Sequence, residues 1–200
     1  MEKVAGRGAL TAADLLGLEQ YAKGREAFRA DVIRHKRART VRVGPDMTWI
    51  FEDRKTIQYQ LQEMLRIERI FEPPGIREEL DTYNPLIPDG SNWKVTMMIE
   101  YPDPVERQAA LARMRGIEER CYVEVAGCGR VVAIADEDLV RENAEKTSAV
   151  HWLRFELTPA MKQALAGGAG LAIGVEHAAY SARIDVTPPV RASLMQDLEM

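Results

Sequence analysis

Apolar residues recur at helical spacing over residues 55–71. At ~100° per residue they fall on one side of a helix. The apolar side carries Ile57, Leu61, Met64, Leu65, Ile67 and Phe71, and the polar side carries Gln58, Gln62, Arg66 and Arg69. Glu68 falls within the apolar stripe. The pattern therefore predicts a buried carboxylate, which is costly unless a cation or a metal ion neutralises it.

Two alternating segments place histidines among apolar residues. In the strand predicted over residues 148–157, His151 is in phase with Leu153, so its side chain is predicted to face the core. His177 follows a strand predicted over residues 171–175 and continues its apolar phase. Both histidines are therefore candidates for a buried polar site.

Turn signals and changes of period divide the chain into interspersed helices and strands. We predict a mainly helical half with one hairpin over residues 9–90, a strand-rich half over 91–187 and a C-terminal helix over 188–200. The connections between strands are often too short for repeated parallel crossovers. The predicted fold is a single α+β domain in which helices cover a largely antiparallel sheet of about six strands.

Composition is that of an ordinary globular protein. The 200 residues are 46% hydrophobic and 29% charged, which is enough to bury a full core. No apolar run reaches the ~18 residues of a membrane helix, and the N-terminus has no apolar signal segment. With only two cysteines, Cys121 and Cys128, a cytoplasmic protein is predicted. The net charge of −4 argues against a dedicated nucleic-acid-binding protein.

Glu68, His151 and His177 form the first candidate site. Two inward-facing histidines and one inward-facing carboxylate are the ligand set of a two-histidine, one-carboxylate iron centre. The alternative is structural, with each histidine hydrogen-bonded to a backbone carbonyl or to Glu68. Three basic residues are also available to neutralise Glu68: Lys94, Arg120 and Arg154. The chain lacks the His-x-x-x-His, Glu-x-x-His and Cys-x-x-Cys spacings that indicate a metal site directly, so the sequence assigns no cofactor.

A basic cluster is the second candidate site. Its members are Arg34, Lys36, Arg37, Arg39 and Arg42. Such a cluster is able to hold an anion or an acidic partner surface, and it is also typical of a solvated helix end. Arg34, Lys36 and Arg37 are therefore candidates for an interaction surface.

Several motifs are similar to those of domain of unknown function family 3501. They are QEMLR at residues 62–66 with ER at 68–69, YNPLIPDG at 83–90, IEYPD at 99–103, ADEDL at 135–139, and KTSAVHW at 146–152 with RFEL at 154–157. The resemblance extends from about Leu10 to Tyr180. The two cysteines and the segment after Tyr180 fall outside it.

The resemblance implies no reaction, because the family has none established. It implies a genetic context beside rubrerythrin-like and iron–sulfur oxidoreductase genes, and hence redox protein partners. The favoured hypothesis is a non-enzymatic accessory protein that binds such partners. The alternative is a metal-dependent or small-molecule enzyme in which Glu68, His151 and His177 line one pocket.

The accessory hypothesis predicts an exposed surface of apolar and arginine residues. Further candidates for this interaction surface are Arg66, Arg69, Tyr83, Asn84 and Asp89. The C-terminal helix carries apolar residues at spacings of four: Val190, Leu194 and Leu198. This amphipathic helix is compatible with a homodimer and equally with packing on its own domain.

Overall fold

The computed structural model describes residues 8–135, 137 and 146–199, so positions 136, 138 and 139 of the ADEDL motif lie outside the described residues. The helices of the described part are α1 (Leu18–Arg37), α2 (Arg54–Ile67), α3 (Pro73–Tyr83), α4 (Pro104–Arg113), α5 (Pro159–Ala166) and α6 (Pro188–Leu194). The strands are β1 (Thr40–Arg42), β2 (Met47–Glu52), β3 (Asn92–Ile99), β4 (Cys121–Val125), β5 (Gly129–Val132), β6 (Ile134–Ala135), β7 (Val150–Glu156), β8 (Leu171–His177) and β9 (Tyr180–Asp185).

The strands form two sheets, which are antiparallel throughout. The larger sheet has the order β1-β2-β3-β7-β6, and the smaller sheet has the order β5-β4-β8-β9. The predicted α+β class and the antiparallel pairing are confirmed. The strands are divided between two sheets because β5 pairs with β4 whereas β6, two residues later, pairs with β7. Ala133 lies between β5 and β6, and its N–H donates to Cys121 O at 2.9 Å.

The main core lies between the two sheets. Alternate side chains of β3 and β7 enter it, among them Trp93 and Leu153. Trp49 of β2 stacks on Phe155 of β7 with ring centroids 5.5 Å apart. The smaller sheet contributes the fully buried Val123. Both sheets therefore turn one apolar face to a shared interior.

A second apolar cluster joins the N-terminal helices. Its buried members are Leu10, Ile57, Leu61, Leu65, Leu80, Tyr83 and Ile87. Three of them recur every fourth residue along α2, whose N-terminus is capped by Asp53 accepting from Thr56 N at 2.9 Å. This cluster fixes α2, α3 and the loop after α3 as one unit.

The C-terminal segment packs on its own domain. The side chains of Val190, Leu194 and Leu198 are buried in the main core, and Trp93 Nε1 donates to Leu194 O at 2.9 Å. Their apolar spacing is thus explained within the chain, and a homodimer stays a prediction. Within the described residues, no helix combines the length and the apolar character needed to cross a bilayer.

Candidate functional site

The predicted burial of Glu68 is wrong. Helix α2 ends at Ile67, and Glu68 is an exposed residue that caps its C-terminus. Arg69 then adopts φ 56°, a left-handed conformation that ends the helical spacing. Ile67 is 59% exposed and Phe71 66% exposed, so the end of the predicted apolar stripe faces solvent.

His151 is fully buried, as its strand phase predicts. Its Nε2 lies 3.1 Å from Ser148 O and 2.9 Å from Thr147 Oγ1. The Thr147 hydroxyl donates in turn to Glu118 Oε2 at 3.3 Å. These neighbours satisfy the ring nitrogen inside the core. His151 therefore has the structural role that was the alternative to a metal ligand.

His177 is half-buried at the end of β8, in the other sheet. Its Nε2 donates to Arg115 O at 3.0 Å, and its Nδ1 accepts from Ala179 N at 3.1 Å. Both ring nitrogens are thus occupied. Glu68, His151 and His177 do not converge, and no group of three His, Cys, Asp or Glu side chains in the described part of the chain is arranged to hold a metal ion. Within the described residues, these three candidates therefore do not form one site.

Among the Asp, Glu, Lys and Arg side chains that the structure describes, the most deeply buried is Arg39, which the sequence pattern placed in the basic cluster. Arg39 is 1% exposed. Its guanidinium donates to Phe51 O at 2.8 Å and to Glu52 O at 3.1 Å, and it lies 2.5 Å from Asp197 Oδ2. Arg39 thereby ties the C-terminal segment to the end of β2.

The half-buried Asp53 and His35 complete this cluster around the buried Arg39. Asp53 Oδ2 lies 3.4 Å from Arg39 Nε and 2.5 Å from His35 Nε2. Burial raises the pKa of Asp197 to about 6, Arg39 opposes this shift, and the charge of Asp53 adds to it. Burial also acts to raise the pKa of Asp53, but the hydrogen bond from His35 and the charge of Arg39 hold it below its ordinary value. Two carboxylates sharing one guanidinium explain these opposite shifts.

A pocket of about 580 Å³ lies between the C-terminal end of α3 and the outer face of the larger sheet. Its volume is in the range of ~300–1,000 Å³ that is usual for small-molecule sites. The helical side supplies Asp81, Thr82, Pro85 and Leu86. The sheet supplies Lys94, Trp152, Leu153 and Arg154, and Glu137 also lines the pocket.

The strand register places the polar wall of this pocket. Lys94 of β3 is the cross-strand partner of Arg154 of β7, and Thr96 is the partner of Trp152. These residues alternate with those that enter the core, so their side chains stand on the outer face of the sheet. Strand phase alone selected the inward His151. Finding Lys94 required the pairing of β3 with β7, which the sequence does not specify.

Arg154 is held by two carboxylates. Its Nε and Nη2 each donate to Glu137 at 2.7 Å, and its Nη1 donates to Glu156. These bonds keep the pKa of Arg154 above its ordinary value. Asn92 Nδ2 donates to Glu156 Oε1 at 2.9 Å and to Asp89 Oδ2 at 2.8 Å. The arginine is therefore neutralised and fixed along one side of the pocket.

Lys94 differs from Arg154 in its bonding. Its side chain is half-buried, and its ammonium group makes no hydrogen bond to another residue that the structure describes. Burial lowers the pKa of Lys94, and the charge of Arg154 lowers it further, while Glu137 and other acids act in the opposite direction. The pocket thus contains a partly desolvated amine that is available to a ligand.

The predicted interaction residues separate into structural and exposed groups. Tyr83 is buried, and Asn84 exchanges two hydrogen bonds with the backbone of Leu10, at 2.7 and 3.0 Å. Tyr83 is therefore not a surface residue, because the second apolar cluster covers it, and Asn84 is half-buried against the N-terminal segment. Arg66 is half-buried beside Glu63, at 3.3 Å. Lys36 is half-buried. The exposed candidates are Arg34, Arg37, Arg69 and Asp89.

Fold and pocket together describe an α+β domain with a ligand-sized site on one sheet. A family model described as "Protein of unknown function (DUF3501)" matches residues 9–198, and the chain belongs to that family. The match includes the segment after Tyr180, which the motif resemblance left out. The chain is also similar to a crystal structure described as a novel protein of unknown function from Burkholderia pseudomallei K96243. The two share 53% identity with a TM-score of 0.91, over 96% of this chain and 100% of the other. A comparison with curated proteins found no match.

Proposed function

We propose that this protein binds a small organic molecule in the pocket between α3 and the larger sheet. The observation that carries the proposal is the half-buried ammonium of Lys94, which has no hydrogen bond to a described residue and lies in a ligand-sized pocket. Concave sites of this kind, with few polar groups on an apolar lining, are the usual form of small-molecule sites.

The energetics favour a ligand with an apolar body and one hydrogen-bond acceptor. Trp152, Pro85 and Leu86 offer apolar surface, and covering such surface contributes about 25 cal/mol per Å². An acceptor on the ligand would restore the hydrogen bonding that Lys94 loses on partial burial. A hydrogen bond to a charged group contributes about 1.5–3 kcal/mol net.

Tryptophan fluorescence tests the proposal, because one of the three tryptophans reports on the pocket. Trp152 lines it, whereas Trp49 and Trp93 are fully buried on the opposite side of the sheet. We expect compounds from a set of small aromatic and aliphatic molecules to change the emission of the wild-type protein. The change should disappear in Trp152→Phe.

A matched pair of lysine variants locates the contact. Lys94→Met should weaken binding by about tenfold, which corresponds to about 1.4 kcal/mol. Lys23→Met removes an exposed lysine of α1 and should leave the affinity unchanged. A set of compounds that produces no response, or a response that survives Trp152→Phe, would contradict the proposal.

A second candidate function is the accessory role beside redox partners that the family resemblance implies. The observation that favours it is the exposure of Ile67 and Phe71 on either side of the exposed Arg69. Apolar and arginine side chains together are enriched at the centres of protein interfaces. This surface lies at the turn between α2 and α3.

Co-purification at native expression, followed by mass-spectrometric identification, tests this role. We expect a redox protein to be recovered with the wild-type chain and lost with the double variant Ile67→Ser and Phe71→Ser. Val105→Ser is the control, because Val105 is 76% exposed on a different helix, α4. Recovery of the bare chain in repeated experiments would refute the accessory role.

A further inference from the structure

We propose that the ligand of the pocket is an aldehyde or ketone with an apolar or aromatic body, and that Lys94 captures it as an imine. The inference rests on the proposed function, because it assigns a chemical class to the ligand of that same pocket. It assigns Lys94 a covalent role.

The first argument is the state of the amine. A lysine nitrogen attacks a carbonyl carbon only when it is neutral, and enzymes favour the neutral form by desolvating a lysine or placing it beside another cation. Lys94 has both features, since it is half-buried and its cross-strand partner is Arg154. Its Nζ also has no hydrogen-bond acceptor among the described residues to hold the proton.

The second argument is the charge around the pocket. Arg154 is already neutralised by Glu137 and Glu156, and the pocket is also lined by Asp81. A carboxylate or phosphate ligand would add a negative charge beside these acids, and among the lining residues only Lys94 would offer it a cation that is not hydrogen-bonded to a carboxylate. An uncharged carbonyl compound avoids that repulsion and still offers Lys94 an oxygen acceptor.

The third argument is the lining of the pocket. Leu86 and Pro85 line it from the helical side, and Trp152 lines it from the sheet. An aromatic or aliphatic body would be covered by these side chains with its carbonyl toward Lys94. Partial exclusion of water from this space also favours an imine, since hydrolysis requires water to return.

The chemical step balances without any further reactant. The lone pair of Lys94 Nζ forms a bond to the carbonyl carbon, and a proton moves from nitrogen to the former carbonyl oxygen to give a carbinolamine. The hydroxyl then takes the remaining proton of the nitrogen and leaves as water, while the nitrogen electron pair forms the C=N bond. One amine and one carbonyl compound give one imine and one water, with no net change of oxidation state.

Reductive trapping tests the inference on the intact wild-type protein. The protein is incubated with benzaldehyde and sodium cyanoborohydride, and the benzylated lysines are located by peptide mass spectrometry. We expect Lys94 to be modified roughly tenfold faster than the exposed Lys23 or the half-buried Lys162. The reason is that the pocket removes water from the Lys94 amine and binds the aldehyde beside it. Modification at Lys94 no faster than at Lys23 would overturn the inference.

Benzyl alcohol, which lacks the carbonyl, separates failure of this inference from failure of the proposed function. Suppose that benzyl alcohol alters the emission of Trp152 but benzaldehyde does not label Lys94 preferentially. The pocket would then remain a binding site, and the imine would be refuted. Absence of both effects would refute both. In Lys94→Arg, which keeps the positive charge, we expect the alcohol still to bind and the selective labelling to be lost.

Discussion

Replacing Arg39 by methionine should destabilise the protein strongly. The substitution removes the guanidinium that donates to two backbone carbonyls and lies 2.5 Å from Asp197 and 3.4 Å from Asp53. Breaking a buried ion pair by removing one partner costs about 3–5 kcal/mol, because the other charge stays buried without compensation. For a domain of this size the melting temperature should fall by about 6–20 °C.

The loss of stability caused by Arg39→Met should also depend on pH, and the pKa of Asp197 determines whether it grows or shrinks as pH rises. In the wild-type protein the pKa of Asp197 is about 6, above its ordinary 3.8. Between these values the folded state holds a proton that the unfolded state releases, so this group makes the protein less stable as pH rises through that window. Without Arg39 the pKa of Asp197 rises further. The penalty of Arg39→Met should therefore be larger at about pH 8 than at about pH 5.

Urea unfolding followed by circular dichroism at the two pH values measures both effects. Arg34→Met is the matched control, because the side chain of Arg34 is 70% exposed and its pair with Asp31, at 3.3 Å, is a surface contact. Such contacts contribute about 0–1 kcal/mol. A difference of less than about 1 kcal/mol between the unfolding free energies of Arg39→Met and Arg34→Met at pH 8 would refute the role of Arg39 in neutralising buried carboxylates.

Two further predictions concern polar contacts of α2. Gln62→Ala loses two hydrogen bonds to the backbone of Leu16, at 2.6 and 3.2 Å, and should lower the free energy of unfolding by about 1–3 kcal/mol. The control is Gln163→Ala at an exposed position, which should change that free energy by less than about 0.5 kcal/mol in the same urea titration. Glu63 has a pKa of about 2, held below its usual 4.5 mainly by hydrogen bonds from Arg25, so its stabilisation is present above pH 4.5 and is lost as pH falls toward 2. The difference in melting temperature between the wild-type protein and Glu63→Gln should therefore become smaller as pH falls from 4.5 toward 2. A difference that stays constant over this range would contradict the role given to Glu63.

Local patterns in the sequence predict the strands of the core well. The alternation that places Trp93, Val95 and Met97 on one face is observed in β3, and the same periodicity correctly turns His151 inward. The hairpin of β1 and β2 was also predictable, because Gly44 takes φ 80° in its turn, a conformation that few other residues adopt readily. These features depend on neighbouring residues alone.

Helix boundaries were less predictable, for identifiable reasons. The apolar spacing predicts a mainly helical structure for residues 9–90 and continues at helical phase through Glu68, where the chain has already left the helix. Conversely, α1 continues through Gly24, a residue that often ends helices. An exposed glycine costs a helix only about 1 kcal/mol relative to alanine, and the buried Tyr21 and Val32 on either side hold α1 to the domain.

The candidate site could not be derived from the sequence, because it depends on contacts between distant segments. Lys94 and Arg154 meet through the pairing of β3 with β7, and α3 closes the pocket from a third part of the chain. The buried cluster of Arg39 has the same origin, since Asp197 is 158 residues away in sequence. A local pattern records which residues are apolar, whereas these sites are defined by which polar residues become neighbours.

The pKa of Lys94 is the most direct test of the central claim that this amine is partly desolvated and open to a ligand. An NMR titration of the lysine side chains, with Lys94 assigned by comparison with Lys94→Arg, measures it. We predict that the pKa of Lys94 lies below its ordinary value of 10.5. A pKa of Lys94 at or above that value would show that its ammonium group is fully hydrated or paired with a carboxylate, and it would contradict the account.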